Sequence, residues 1–158
     1  MILYRIANCN YITNLDGMGA RLYGARWNSK GNAVVYLASS RALAVLEVLV
    51  HLQPLFIPPN FCLAEIEVPN NSILTLDVKS LPANWQDAAS PTELRTLGNQ
   101  FIKESKFLMM KVPSSIVPEE FNYLLNPAHA DIKKVKIITT HPFNLDDRLI
   151  VVRQTTGK

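Results

Sequence analysis

Glu47 is a carboxylate out of place. It is the sole charge between Ala42 and Val50, four residues after Leu43 and three before Val50. That spacing puts all three on one helical face. An unpaired carboxylate in apolar surroundings costs on the order of several kcal/mol, so Glu47 requires a partner, a cleft or both. Two readings fit: a carboxylate tied to a buried arginine at a pocket rim, or one aimed into a cleft to act on a ligand. Arg26 stands in a turn between Gly24 and Gly31, beside Trp27. Its guanidinium offers five donors in a fixed fork, suited to phosphate or carboxylate, and the glycines let backbone approach a ligand. The alternative is an ordinary surface arginine. Arg5, inside an apolar strand, is a second basic candidate. Tyr36, in an aliphatic strand, either packs in the core or stacks on a flat heterocycle. Ser114 and Ser115 follow Pro113, and Asn126 precedes Pro127. Such residues build turns, and they can also orient sugar hydroxyls.

Other chemistry is excluded by spacing. His51, His129 and His141 lie far apart without an H-E-x-x-H pattern, and Cys9 and Cys62 form no C-x-x-C pair. There is no G-x-S-x-G elbow. The glycines of GMGARLYGARWNSKG miss the dinucleotide and Walker spacings, and their loop feeds a strand, as in a hairpin. Asp146 and Asp147 read as a turn before a last strand. Sixteen basic and thirteen acidic residues leave +3. The basic residues scatter, and Lys133, Lys134 and Lys136 read as a solvated strand edge, so a nucleic-acid module is disfavoured. A small anionic ligand held by one or two arginines fits this balance.

The chain's 158 residues, 48% of them hydrophobic, suit one domain with a real core. No apolar run reaches the ~18 residues of a membrane helix. MILYRIANCN lacks the basic start of a secretory signal, and the expected location is cytoplasmic. Cys62, in an apolar strand pattern, reads as a buried thiol. The patterning predicts strands at Ile2–Ile6, Ala33–Ala38, Phe61–Val68, Ile73–Val78, Phe107–Val112 (a central strand), Lys134–Thr140 and Leu149–Val152. One helix, capped by Ser39 and Ser40, runs from Arg41 to about Leu52, closed by Pro54 and buried nearly all round. A second starts at a Ser90-Pro91-Thr92-Glu93 capping box and runs to Glu104, with Leu94, Leu97 and Phe101 inward. The stretch PSSIVPEEFNYLLNPAHAD reads as a polar loop with a short turn. The fold class is α+β, with mainly antiparallel sheet.

Two stretches, GARWNSKGNAVVYLASSRALAVLEVLVH and VPSSIVPEEFNYLLNPAHAD, together resemble the RES domain. The resemblance runs from Tyr4-Arg5 to about Asp131 and rests on the order of G-x-R-W-N, V-Y-L-A-S, P-S and N-x-L-L-N-P. It implies a single RES domain over 1–158 with an ADP-ribosyltransferase-like core, a split pair of β-sheets with helices around an NAD cleft. Members are toxins of toxin–antitoxin pairs that cleave NAD at the nicotinamide–ribose bond, by phosphorolysis or hydrolysis; some transfer ADP-ribose to protein. The resemblance implies NAD as substrate, inorganic phosphate as a co-substrate in phosphorolysis, no metal, and an Xre-type antitoxin covering the cleft. A non-catalytic nucleotide- or antitoxin-binding RES-like protein is a further alternative. Residue by residue, the family's arginine falls on Arg26, its tyrosine on Tyr36, its glutamate on Glu47, its serine on Ser114 or Ser115, and its asparagine on Asn126. Arg5 matches the N-terminal Y-R position. The implied roles are Glu47 at the ribose, Arg26 at pyrophosphate or incoming phosphate, Tyr36 at nicotinamide, and Ser114 and Asn126 at the ribose or amide.

Overall fold

The computed structural model describes residues 1–52, 60–89 and 91–149. Its strands are β1 (Ile2–Asn8), β2 (Val35–Ala38), β3 (Phe61–Glu67), β4 (Ile73–Thr75), β5 (Met109–Pro113), β6 (Phe121–Leu125) and β7 (Lys136–Pro142). Its helices are α1 (Met18–Tyr23), α2 (Arg41–Leu49) and α3 (Thr92–Glu104). One seven-stranded sheet has the order β4-β5-β6-β2-β1-β3-β7. All pairings are antiparallel except β4 with β5. This is the α+β, mainly antiparallel architecture that the patterning predicts.

The sheet has a seam. β1 pairs with β3 over seven residue pairs, and β2 with β6 over four, but β1 and β2 meet only at Tyr4 and Ala38. Beyond that pair the two strands part. Within the one sheet this leaves a β4-β5-β6-β2 leaf and a β1-β3-β7 leaf, joined at that pair. Strand alternation puts Tyr36, Ala38, Asn122 and Leu124 on one face, since Tyr36 pairs with Leu124 and Ala38 with Asn122. α2 packs over that face on the seam, through Leu43 and Ala44 against Ala38, Tyr4 and Ile6. α3 packs Leu94 and Phe101 against Met110, Val112 and Leu124. The opposite face buries Leu3, Val35, Leu37, Ala64, Ile66, Met109 and Leu125.

Several elements depart from the sequence reading. α2 is capped by Ser40, whose hydroxyl accepts from the Leu43 amide, but it is not buried all round. Only Leu43 and Ala44 are fully buried, while Leu46 and Val50 are exposed. Leu46 therefore stands on open surface. α3 begins one residue late: Pro91 is the N-cap, without a side-chain cap bond, and Ser90 lies outside the described residues. The glycine loop holds α1, a single short helix, before β2. β4 ends at Thr75, and a 3-10 turn covers Val78–Ser80. β5 is second from the edge, not central. The polar loop after Pro113 contains β6, which lies between β5 and β2. Lys133 and Lys134 belong to a 3-10 turn, with Lys134 paired to Asp131, and only Lys136 lies on the edge strand β7. Asp147–Leu149 is another 3-10 turn, and most of the expected last strand lies outside the described residues. Cys62 is buried, as expected, but as a disulfide with Cys9 instead of a free thiol. The two sulfurs belong to neighbouring chain segments, since Ala7 pairs with Cys62 and the Cys9 amide bonds to Asn60. Among the described residues no helix is long and apolar enough to cross a membrane.

α3 also positions the Arg26 turn. Gly98 lies so close to Trp27 that a Cβ there would stand 1.7 Å from the Trp27 carbonyl oxygen. Gly98→Ala must push α3 away from the turn. The expected cost is about 2 kcal/mol or more, read as a Tm lowered by roughly 5 °C in thermal denaturation.

Candidate functional site

The parting of β1 and β2 opens a cleft of about 880 Å³. Arg5, Ile6 and Ala7 line it from β1, and Val35 to Ala38 from β2. α2 adds Glu47, and the turn before β2 adds Arg26 and Trp27. The volume lies in the range of small-molecule sites.

Glu47 follows Leu43 and Ala44 on the inner face of α2, so the packing that seats the helix also turns this side chain inward. Its Oε1 accepts two hydrogen bonds, from Ser114 Oγ at 2.9 Å and from Asn122 Nδ2. Neither donor is charged. No hydrogen bond among the described residues reaches Oε2. The partner that a displaced carboxylate demands is therefore a pair of neutral donors, not the buried arginine of the structural reading.

Ser114 is fully buried, and its hydroxyl is saturated. It gives its single hydrogen to Glu47 and accepts from the amides of Ile116 and Val117 at 3.1 and 3.2 Å. With no proton left for a ligand, Ser114 is a positioning residue. Ser115, the alternative, lines the cleft directly. The loop that carries both closes on itself, the Ser114 amide bonding to the Glu120 carbonyl at 2.9 Å. The Ser40 hydroxyl donates to Glu120 Oε2 at 3.0 Å. α2 is thus pinned to this loop near both ends.

Tyr36 lines the cleft, but its hydroxyl is committed to the Arg26 turn. It donates to Asn28 Oδ1 at 2.9 Å and receives the Trp27 amide at 3.2 Å. Burial pushes the phenol up, so it stays protonated. Asn28 is fully buried and spans the turn, donating to the carbonyls of Ala20 and Asn32 at 2.8 and 3.0 Å. α3 supports it from outside: Asn99 accepts from the Ser29 amide and donates to its hydroxyl. Arg26 therefore rides on a rigid turn. Burial lowers its pKa, opposed by the negative charges of Glu47 and Asp87. It shares the cleft with Glu47, yet no ion pair among the described residues joins them. Its fork donates instead to the carbonyls of Trp85 at 2.7 Å and Asp87 at 2.9 Å.

The structure thus brings Glu47, Arg26, Tyr36 and Arg5 to one cleft. Arg5 reaches it from the other side of the seam, with one guanidinium nitrogen, Nη1, donating to the carbonyls of Ile12 and Asn14. Asn126 is elsewhere. Its amide is buried, donating to Ile102 and Ser105 and accepting from the Ala128 amide. It shapes a turn after β6 and does not line the cleft. The asparagine at the carboxylate is Asn122, which the sequence reading misses because it takes 121–125 for loop. The run FNYLL, two aromatics and two leucines after a polar turn, carries the strand signal.

A family model described as RES domain matches residues 2–146. The chain belongs to the RES domain family. It is similar to "Toxin Res" of Photorhabdus laumondii, at 38% identity over 98% of this chain and 100% of that protein. It is 41% identical to "Prs ADP-ribosylating toxin" of a Sphingobium species, over 87% of each. Among solved structures, the M. tuberculosis MbcT-MbcA toxin–antitoxin complex contains a chain matching with TM-score 0.74 at 17% identity. That match covers 90% of this chain and 83% of the other, and the likeness is one of fold.

Removing the Ser114 hydroxyl strips Glu47 of one donor and leaves two amides without their acceptor. Ser114→Ala is expected to cost about 1–3 kcal/mol in urea denaturation. Ser115→Ala is expected to stay within about 0.5 kcal/mol of the parent.

Proposed function

We propose that this RES domain is the toxin of a toxin–antitoxin pair and acts by cleaving NAD at the nicotinamide–ribose bond. The observation that carries the reading is Glu47: a carboxylate fixed through one oxygen, with the other left to the cleft. As that bond breaks, positive charge develops on the ribose while the pyridinium loses its own. A fixed carboxylate is then worth more than in the ground state, and Oε2 can accept a ribose hydroxyl's hydrogen bond. Donors already in place spare the carboxylate reorganisation. Arg26 supplies the charge for a pyrophosphate or an incoming phosphate, and Tyr36 supplies a ring at the cleft wall for the flat nicotinamide. Phosphate as acceptor gives ADP-ribose 1″-phosphate, and water gives ADP-ribose; nicotinamide leaves in both cases. The toxin-named relatives support the biological role, and the fold neighbour from a toxin–antitoxin complex supports a protein antitoxin. We assign that partner to the Xre type, seated over the cleft, and the location to the cytoplasm.

A second reading, transfer of ADP-ribose to a protein, is favoured by the Sphingobium relative's name. Incubating purified, antitoxin-free protein with labelled NAD, with and without phosphate, separates the two. Free ADP-ribose or its 1″-phosphate supports degradation, label retained on protein supports transfer, and intact NAD overturns both.

Glu47→Gln keeps an acceptor for Ser114 and Asn122 but loses the charge. NAD consumption is expected to fall about 100-fold or more with Tm little changed; normal consumption removes Glu47 from the chemistry. Asn122→Asp places a second carboxylate against the first. The like charges repel and the Nδ2 donor is lost, so NAD consumption is expected to fall about tenfold or more; unchanged consumption shows that Asn122 does not act on Glu47.

A further inference from the structure

Arg26 has a second occupation in this structure. Its guanidinium grips the segment that runs from Leu81 to Asp87, between β4 and α3. That segment has no regular structure and bonds to itself through local turns, Trp85 amide to Pro82 carbonyl and Asp87 amide to Asn84 carbonyl. Leu81 and Trp85 are buried in the cluster beneath α3 and act as its anchors. Gln86 and Ala88, beyond the Trp85 anchor, form part of the cleft wall. The Arg26 bonds to Trp85 and Asp87 therefore draw the wall inward, from a turn that the rest of the fold holds rigid.

Two carbonyl acceptors are weak competition for a cation. They carry only partial charge, whereas a phosphate or pyrophosphate group offers full charge and a bidentate match to the fork. Glu47 and Asp87, both negative, act on Arg26 through space. A bound anion would neutralise the guanidinium and repel Asp87, which sits on the segment itself. Both effects loosen the grip.

We propose that residues 82–89 form a strap latched by Arg26, and that the anionic part of the substrate takes the guanidinium from the strap and releases it. The strap deepens the NAD reading by tying substrate entry to movement of one cleft wall, and the anion-driven half rests on that reading. Latching itself does not. By reciprocity, whatever the anion loses in displacing the carbonyls, the strap loses in order when the anion binds.

Hydrogen–deuterium exchange of the 82–89 amides tests both halves, on the full chain free of antitoxin. Without ligand, Arg26→Ala is expected to speed strap exchange about tenfold while β5 and β6 stay protected. Arg26→Gln serves if the alanine variant fails to fold. Equal exchange in a folded variant and the parent overturns the latch, whatever becomes of NAD. Binding of NAD and of inorganic pyrophosphate is followed by calorimetry in parallel. Either ligand, once bound, is expected to speed strap exchange in the parent and leave the Arg26 variant unmoved. Added protection on binding overturns release, showing a clamp instead of a latch. Pyrophosphate binding with release, but no NAD binding, upholds the strap and refutes the NAD reading. Binding of neither ligand overturns anion-driven release.

Discussion

The site depends on a carboxylate held inside the fold with no counter-ion bonded to it among the described residues. Glu47 is turned inward by the same helical face that seats α2 on the sheet. Its charge is met by two neutral donors, both on one oxygen. An arginine bonded there would have cancelled the charge and filled the space. Dipoles do neither: they leave the charge uncancelled and its field available to a ligand. Most of the surrounding architecture serves this arrangement. The loop between β5 and β6 saturates Ser114, β6 delivers Asn122, and the Ser40–Glu120 bond fixes where α2 begins.

The cation in the cleft is handled in the opposite way. Arg26 is given acceptors at once, two backbone carbonyls, and its turn is braced by Asn28, Tyr36 and Asn99. Side chains expected to meet a ligand turn out to bond within the protein, largely to backbone. The Tyr36 hydroxyl is occupied by the turn, and the Arg5 guanidinium by the loop after β1. What Tyr36 has left for a ligand is ring surface, while Arg5 keeps its charge.

Much of this could be read from sequence where a local rule is broken. Glu47 was conspicuous because helical spacing put a charge among apolar residues, and Arg26 because glycines surround it. The Ser40 cap and the core face of α3 followed from periodicity and capping chemistry. What escaped reading depends on distant contacts. α2 reads as buried all round because composition does not say which neighbours are missing: Leu46 is exposed, and Val50, also exposed, lines the cleft. β6 was hidden by the proline-rich polar stretch around it, and Asn122 with it. Asn122 stands between Phe121 and Tyr123 and Asn126 between Leu125 and Pro127, and their roles follow from register: Asn122 pairs with Ala38 of β2, while Asn126 lies past the end of β6. The disulfide depends on β1 and β3 being neighbours, which spacing alone does not reveal.

The seam between the leaves carries a mechanical consequence. A continuous ladder resists bending by sharing load among many hydrogen bonds, but here the leaves are joined between β1 and β2 by the single Tyr4–Ala38 pair, with α2 lying across it. α2 bridges that junction, so the helix that bears the carboxylate also lies across the sparsest pairing of the sheet, and its seat sets the cleft's width and Glu47's reach together.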